Sequence, residues 1–461
     1  MASISAKFAN LYRARREMSN PADLARLFMA RLCYPADTWL PATVTDLVKV
    51  LKGGRLKGLT GHEANKFAAW LHDFIVLGQR KGGASFYPIH PVLSRPLNRE
   101  ESRADGFILT LVRAFSSNER QQLVNALWGQ GGQNLPPFER VIYDLVEWQI
   151  EGAEPMPLAT IERAKPSDDP GLKPAAVAIL DQTREDLLVL AGEVNGVQSF
   201  IDHAGRLLAL ALARFFPAQA DVDMTLPIYI APAADSHDGV RALAHEAIEV
   251  HRALFGQALH RQFEAFYQEA VVEEESDRDP LDAEVARKLT KHIFHPRANV
   301  VPLEQDRYDD LREDHSDLCG VSYYYYWRRS GAGGRFLRRL HTAQLNLSKK
   351  AGIANSRNRY SAWHYYWLAS PLVETLLLVS RPRLERDRML VVELLRDWRD
   401  RYGLALLIDD SWEDVYHTRF RGLGNPEALN EANQRRFNEI LSERGRLHKN
   451  SDDFPWVILR D

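Results

Sequence analysis

Apolar residues in this 461-residue chain recur at the three- and four-residue spacing of an α-helix in one stretch after another, and strand-like runs are few. That pattern constrains the fold more than any motif. It predicts a mainly α, multidomain helical protein with few short strands. Ser19-Asn20-Pro21 opens the first helix, because a short polar side chain caps free amides and proline is tolerated at the first helical position. Further helices are expected over 42–51, 61–77, 106–114, 117–127, 137–148, 181–190, 200–216, 239–272, 384–402 and 427–444.

The strand-like exceptions are a hairpin near 85–92, the run TLPIYIA at 225–231, the run at 404–408, and two short strands over 446–460 around the turn 450–453. In the last pair, Trp456 and Ile458 are expected to pack on the helix 427–444. A terminal helix followed by a hairpin is compatible with a winged-helix-like module.

Residues 151–173 are rich in proline and charge and lack apolar periodicity, which marks a linker. The expected organisation is an N-terminal helical domain over 1–150, the linker, an acidic central helical domain over 174–320 and a basic aromatic domain over 321–461. The formal charge of −3 conceals this asymmetry: from Ser322 to the end there are 24 Lys and Arg against 17 Asp and Glu. An acidic body joined to a basic end steers a polyanion to one face, or reflects two complementary surfaces packed together. The two cysteines, Cys33 and Cys319, exclude a disulfide framework or an all-thiolate metal site within one chain. The basic N-terminus has no apolar signal core and no run reaches a membrane-spanning length, so the expected location is cytoplasmic, with no membrane partner.

Between Ser322 and Val373 there is no acidic residue. Arg328, Arg329, Arg335, Arg338, Arg339, Lys349, Lys350, Arg357 and Arg359 are interleaved there with Tyr323–Trp327, Phe336, Tyr360, Trp363 and Tyr365–Trp367. Cations neutralise phosphates and aromatic faces stack bases, so these nine residues are the candidate nucleic-acid-binding set. The competing reading buries much of the aromatic run in the core and leaves the arginines as a solvated rim. The glycine turn Gly331–Gly334 before a helix starting near Arg335 lacks the Gly-Lys-Ser/Thr of a phosphate loop and reads as a hinge.

Carboxylates at 304–317 read as a solvated helix, or as a surface that masks the basic segment. Asp409 and Asp410 with Glu413 follow a strand-like run, where converging acids hold metal for phosphoryl chemistry. They lack the Glu-x-Lys companion of a common nuclease core, and helix capping before Trp412 is the plainer reading. His245 and Glu249 share a helical face and read as a surface ion pair, while His251 points elsewhere. No nucleophile elbow is present.

The composition therefore points to a non-enzymatic nucleic-acid-binding or scaffold subunit of a larger cytoplasmic assembly, such as a prokaryotic nucleic-acid-processing or antiviral defence complex. Its expected partners are nucleic acid, DNA rather than RNA, or an acidic protein surface, together with protein subunits; no cofactor or metal is expected. The alternatives are a metal-dependent nuclease or hydrolase using Asp409, Asp410, Glu413 or His448, and a pure protein-interaction scaffold.

Overall fold

The computed structural model describes residues 20–33, 62–80, 83–86, 88–89, 105–129, 132–149, 172–220, 228–273, 332–356, 363–408, 425–449 and 455–459. They form a mostly helical protein. The N-terminal part holds α1 (Pro21–Cys33), α2 (His62–Ile75), the hairpin β1 (Val76–Arg80) and β2 (Gly83–Phe86), α3 (Asp105–Ala114), α4 (Ser117–Leu127) and α5 (Pro137–Gln149). The middle holds α6 (Pro174–Glu193), α7 (Gly196–Ala218), β3 (Ile228–Tyr229) and α8 (Asp238–Glu273). The C-terminal part runs α9 (Ala332–Ala351), β4 (Ala354–Ser356), β5 (His364–Tyr366), α10 (Ser370–Leu384), β6 (Arg388–Leu390), α11 (Val391–Tyr402), β7 (Leu404–Ala405), α12 (Pro426–Glu443), β8 (Leu447–Lys449) and β9 (Pro455–Ile458). No helix among the described residues is long and apolar enough to cross a membrane.

The principal core is organised around α7. Its run Leu207–Ala213 is apolar on every side, and such a helix is stable in water only when other elements surround it. Helices α1, α6, α8, α9 and α10 do so, and buried side chains from Leu24 to Leu459 join one continuous cluster. Where α1 crosses, Gly205 is required: a Cβ there would lie 2.5 Å from the carbonyl oxygen of Pro21. The N-terminus of α7 has no cap from Asn195. Instead the buried Glu139 of α5 accepts hydrogen bonds from the Val197 and Gln198 amides at 3.0 and 3.4 Å, placing a carboxylate at the positive helix end. Near the other end, Pro217 has no N–H to give to the carbonyl of Ala213, and Gln344 of α9 donates to that oxygen at 3.4 Å.

The chain from α10 onward follows the order helix, strand, helix, strand, helix, strand, strand, with β7 paired outside this unit to β3. The other three strands form an antiparallel sheet in the order β6–β9–β8. Trp398 of α11 packs edge-on against Phe437 of α12 at 5.6 Å and donates to Ser380 of α10 at 3.1 Å, so three helices share one core contact. Asn433 of α12 ties this unit to the middle of the chain. Fully buried, it donates to the Tyr229 hydroxyl at 2.7 Å and the Leu406 carbonyl at 3.0 Å, and accepts from the Ala233 amide at 3.2 Å. Beside it β3 and β7 pair in parallel.

Several sequence expectations shift. The stretch 384–402 is not one helix: α10 ends at Leu384, Glu385 turns left-handed with φ 52°, and buried Met389 pairs with Val457 before α11 begins. The first hairpin pairs Val76–Arg80 with Gly83–Phe86 and so begins earlier than the expected 85–92. Helix α9 starts at Ala332 and includes Gly333 and Gly334, which the sequence pattern assigns to a turn. The last strand has the opposite phase, with Val457 turned into the core and Trp456 and Ile458 on the other face. The expected helix at 42–51, the linker before residue 172 and the acidic stretch 304–317 lie outside the described residues.

Gly205→Ala tests the close crossing of α1 and α7. Relief of the overlap requires backbone movement, so unfolding free energy should fall by about 1–3 kcal/mol in denaturant titration. A variant as stable as the parent would mean that the two helices do not approach so closely.

Candidate nucleic-acid interface

Of the nine basic candidates, Arg328, Arg329, Arg357 and Arg359 lie outside the described residues. Arg335, Arg338 and Arg339 fall on the first half of α9, at positions that share a helical face. The α9 C-terminus carries Lys349 and Lys350. Lys349 is half-buried and donates to Ser356 Oγ at 2.8 Å, which commits it to the α9–β4 corner, and burial holds its pKa below the usual lysine value. Lys350 is exposed. Asp409, Asp410 and Glu413 lie outside the described residues. The preceding Ile408 is held at both backbone groups by the Asn430 amide, at 2.7 and 2.6 Å. Among the described residues, no group of three His, Cys, Asp or Glu side chains is arranged to hold a metal ion.

The aromatic residues of β5 are structural. Tyr365 and Tyr366 are buried against α8, with Arg241 over the Tyr365 ring at 5.8 Å and His251 sharing a 2.8 Å hydrogen bond with the Tyr366 hydroxyl. His245 does not pair with Glu249, whose partner is Arg252 at 3.3 Å. Its Nδ1 donates to the His364 carbonyl at 2.7 Å, and its ring stacks on the exposed Trp363 at 4.2 Å. His341 of α9 lies close by. Burial, then the charges of Arg252, His364 and His251, push its pKa down to about 4.

A different basic and aromatic pair lies on the outer face of the β6–β9–β8 sheet. Because side chains alternate along a strand, turning Met389 and Val457 inward places Arg388, Trp456 and His448 on the other face. Arg388 sits over the Trp456 ring at 5.4 Å and makes no ion pair among the described residues. His448 is exposed opposite Trp456. The adjacent helix α12 has the reverse character. Glu427, Glu431, Glu439 and Glu443 are exposed along it, while Arg435 pairs with Glu431 at 2.6 Å and Arg436 with Glu439 at 2.9 Å and Glu443 at 3.2 Å.

Sequence reasoning missed Arg388 because its partner is 68 positions away and the strand carrying it was read as helix. It also missed a pocket of about 410 Å³ between α6, α7, α8 and α11, whose polar lining comes from residues with no shared motif.

The depressed pKa of His341 fixes a pH response. The unfolded chain takes up a proton near pH 6.5 and the folded chain near 4, so stability is full above 6.5 and is lost as pH falls through that window. His203, held low by burial and Arg206, acts in the same direction. Between pH 7 and pH 5 the His341 share is about 1–2 kcal/mol, and His341→Gln should lose correspondingly less stability over that interval. Equal losses in parent and variant would mean that His341 is free to protonate in the fold.

No protein-family model matches the chain, and neither a curated protein nor a solved structure matches it.

Proposed function

We propose that the protein is a non-enzymatic nucleic-acid-binding subunit of a larger cytoplasmic assembly, and that its C-terminal unit is a winged-helix-like module presenting a polyanion-binding wing. The order helix–strand–helix–strand–helix–strand–strand, in which β7 pairs outside the unit and the other strands make the sheet β6–β9–β8, supports the module. The observation that carries the binding role is Arg388 stacked over Trp456, with His448 beside it, on the outer sheet face. A cation and an aromatic ring on one open face supply phosphate neutralisation and base stacking together. In this reading the wing and the basic face of α9, with Arg335, Arg338 and Arg339, contact DNA, and α12 does not enter a groove. Its glutamates would meet phosphate oxygens with like charge. A prokaryotic nucleic-acid-processing or defence complex is the setting that suits such a subunit.

The scaffold reading draws on the same acidic helix: α12 offers a basic protein partner a row of carboxylates, and the module then serves assembly. The two readings separate on nucleic acid alone. Full-length protein should bind duplex DNA in fluorescence anisotropy with affinity falling steeply as salt rises. Arg388→Gln should flatten the log–log slope by about 0.9, the contribution of one phosphate contact, and the Arg335, Arg338, Arg339 triple alanine variant by about three times that. Trp456→Ala should weaken binding roughly fivefold or more with little change in slope. Absence of binding at low salt sinks the nucleic-acid reading and leaves the scaffold.

A further inference from the structure

The pocket of about 410 Å³ between α6, α7, α8 and α11 is within the size range of small-molecule sites. Arg214 of α7 reaches it from the interior. Its Nη2 donates to Gln182 Oε1 and to the Arg401 carbonyl, each at 3.0 Å. Both acceptors are neutral. Among the described residues Nε and Nη1 have no acceptor and no carboxylate forms an ion pair with Arg214. Arg214 is half-buried and lines the pocket. Burial pushes the pKa of Arg214 down to about 10, although Tyr402 and the Asp186 carboxylate pull against that fall.

The neighbouring arginine is already satisfied. Arg401 Nη2 and Nε hold the buried Asp186 carboxylate at 2.6 and 3.1 Å, and Nη2 reaches Glu185 at 3.2 Å. Asp186 is thus hydrogen-bonded to Arg401 and not to Arg214, and the acid in the pocket lining, Asp400, is exposed on α11. Ile179, Ile228 and Leu254 add apolar groups to the lining. A guanidinium that makes no ion pair, in a pocket with apolar groups in its lining, suits a ligand with an anionic head and an apolar body.

We infer that this pocket binds a small organic oxyanion, a carboxylate or phosphate monoester with an apolar body, whose head pairs with Arg214. Binding here is separate from the sheet face and α9, so it stands whether or not the chain binds nucleic acid. The probes are phenyl phosphate, benzoate, inorganic phosphate and neutral benzamide, applied to full-length protein in thermal-shift and calorimetric titrations. Phenyl phosphate or benzoate should stabilise the protein saturably, more than inorganic phosphate does, and benzamide should not. Which of the two ring-bearing anions binds more tightly identifies the head group.

Arg214→Gln should weaken that binding by about 10- to 100-fold, the loss expected for a charged hydrogen-bonding partner. A second measurement needs no variant: phenylglyoxal modification of the parent protein read by mass spectrometry. The effective anion should slow modification of Arg214 and leave the exposed Arg435 unchanged. The inference is overturned if neither ring-bearing anion stabilises the protein, if benzamide does as well as they do, or if Arg214 is unreactive without probe or equally reactive with it.

Discussion

Burial of α7 is the constraint on which the remaining packing depends. A helix with Leu207, Leu208, Leu210 and Leu212 pointing in successive directions has no face to offer water. At about 1.5–3 kcal/mol for each large apolar side chain withdrawn, enclosure outweighs any local propensity of the surrounding helices. Enclosure also removes water from the helix ends and from each irregularity along the helix. Glu139 and Gly205 answer two of those demands from distant parts of the chain, each where the packing leaves no room for solvent.

The polar connections obey a different arithmetic. Asn433 meets a hydroxyl, a carbonyl and an amide that are all away from solvent; the net gain from each bond is about 1 kcal/mol, but leaving any of them without a partner costs about 1–3. Such a residue contributes less by attraction than by making other arrangements of α12 against β3 and β7 unfavourable. The Asp186–Arg401 pair acts in the same way between α6 and α11. Burial raises the Asp186 carboxyl, Arg401 works against that rise, and the carboxylate holds the guanidinium well above its ordinary value. Removal of either member would strand the other, so the pair fixes the orientation of α11 more than it adds to stability.

Helices were legible in the sequence because their signal is local. The period of α6, α7, α8 and α12 was plain, and the terminal helix and strand pair could be read from a turn and a short alternation. What failed were decisions that depend on a partner. Trp456 looked like the natural core residue of its strand, yet pairing with β6 and β8 sets the phase and turns Val457 inward, and nothing within residues 455–459 records this. The break at Glu385 was hidden for the same reason, since β6 exists only because β9 is there to pair with it. Tyr365 and Tyr366 were ambiguous between core and surface until α8 covered them. Gln182, Arg214 and Arg401 share a pocket without sharing any interval that a motif could encode.

Pro217 and Gln344 form a unit of another kind. The proline takes away a donor that the α7 backbone needs, and a side chain on α9, 127 positions later, returns it to the Ala213 carbonyl. Neither residue has a reason to be there without the other: a glutamine in that packed layer is poorly suited to it when the carbonyl is already bonded within its own helix, and the proline leaves an orphaned oxygen when the amide is missing. Energetically the two positions act as one: what replacing Gln344 costs depends on whether residue 217 carries an N–H, so substitutions at the two sites do not add.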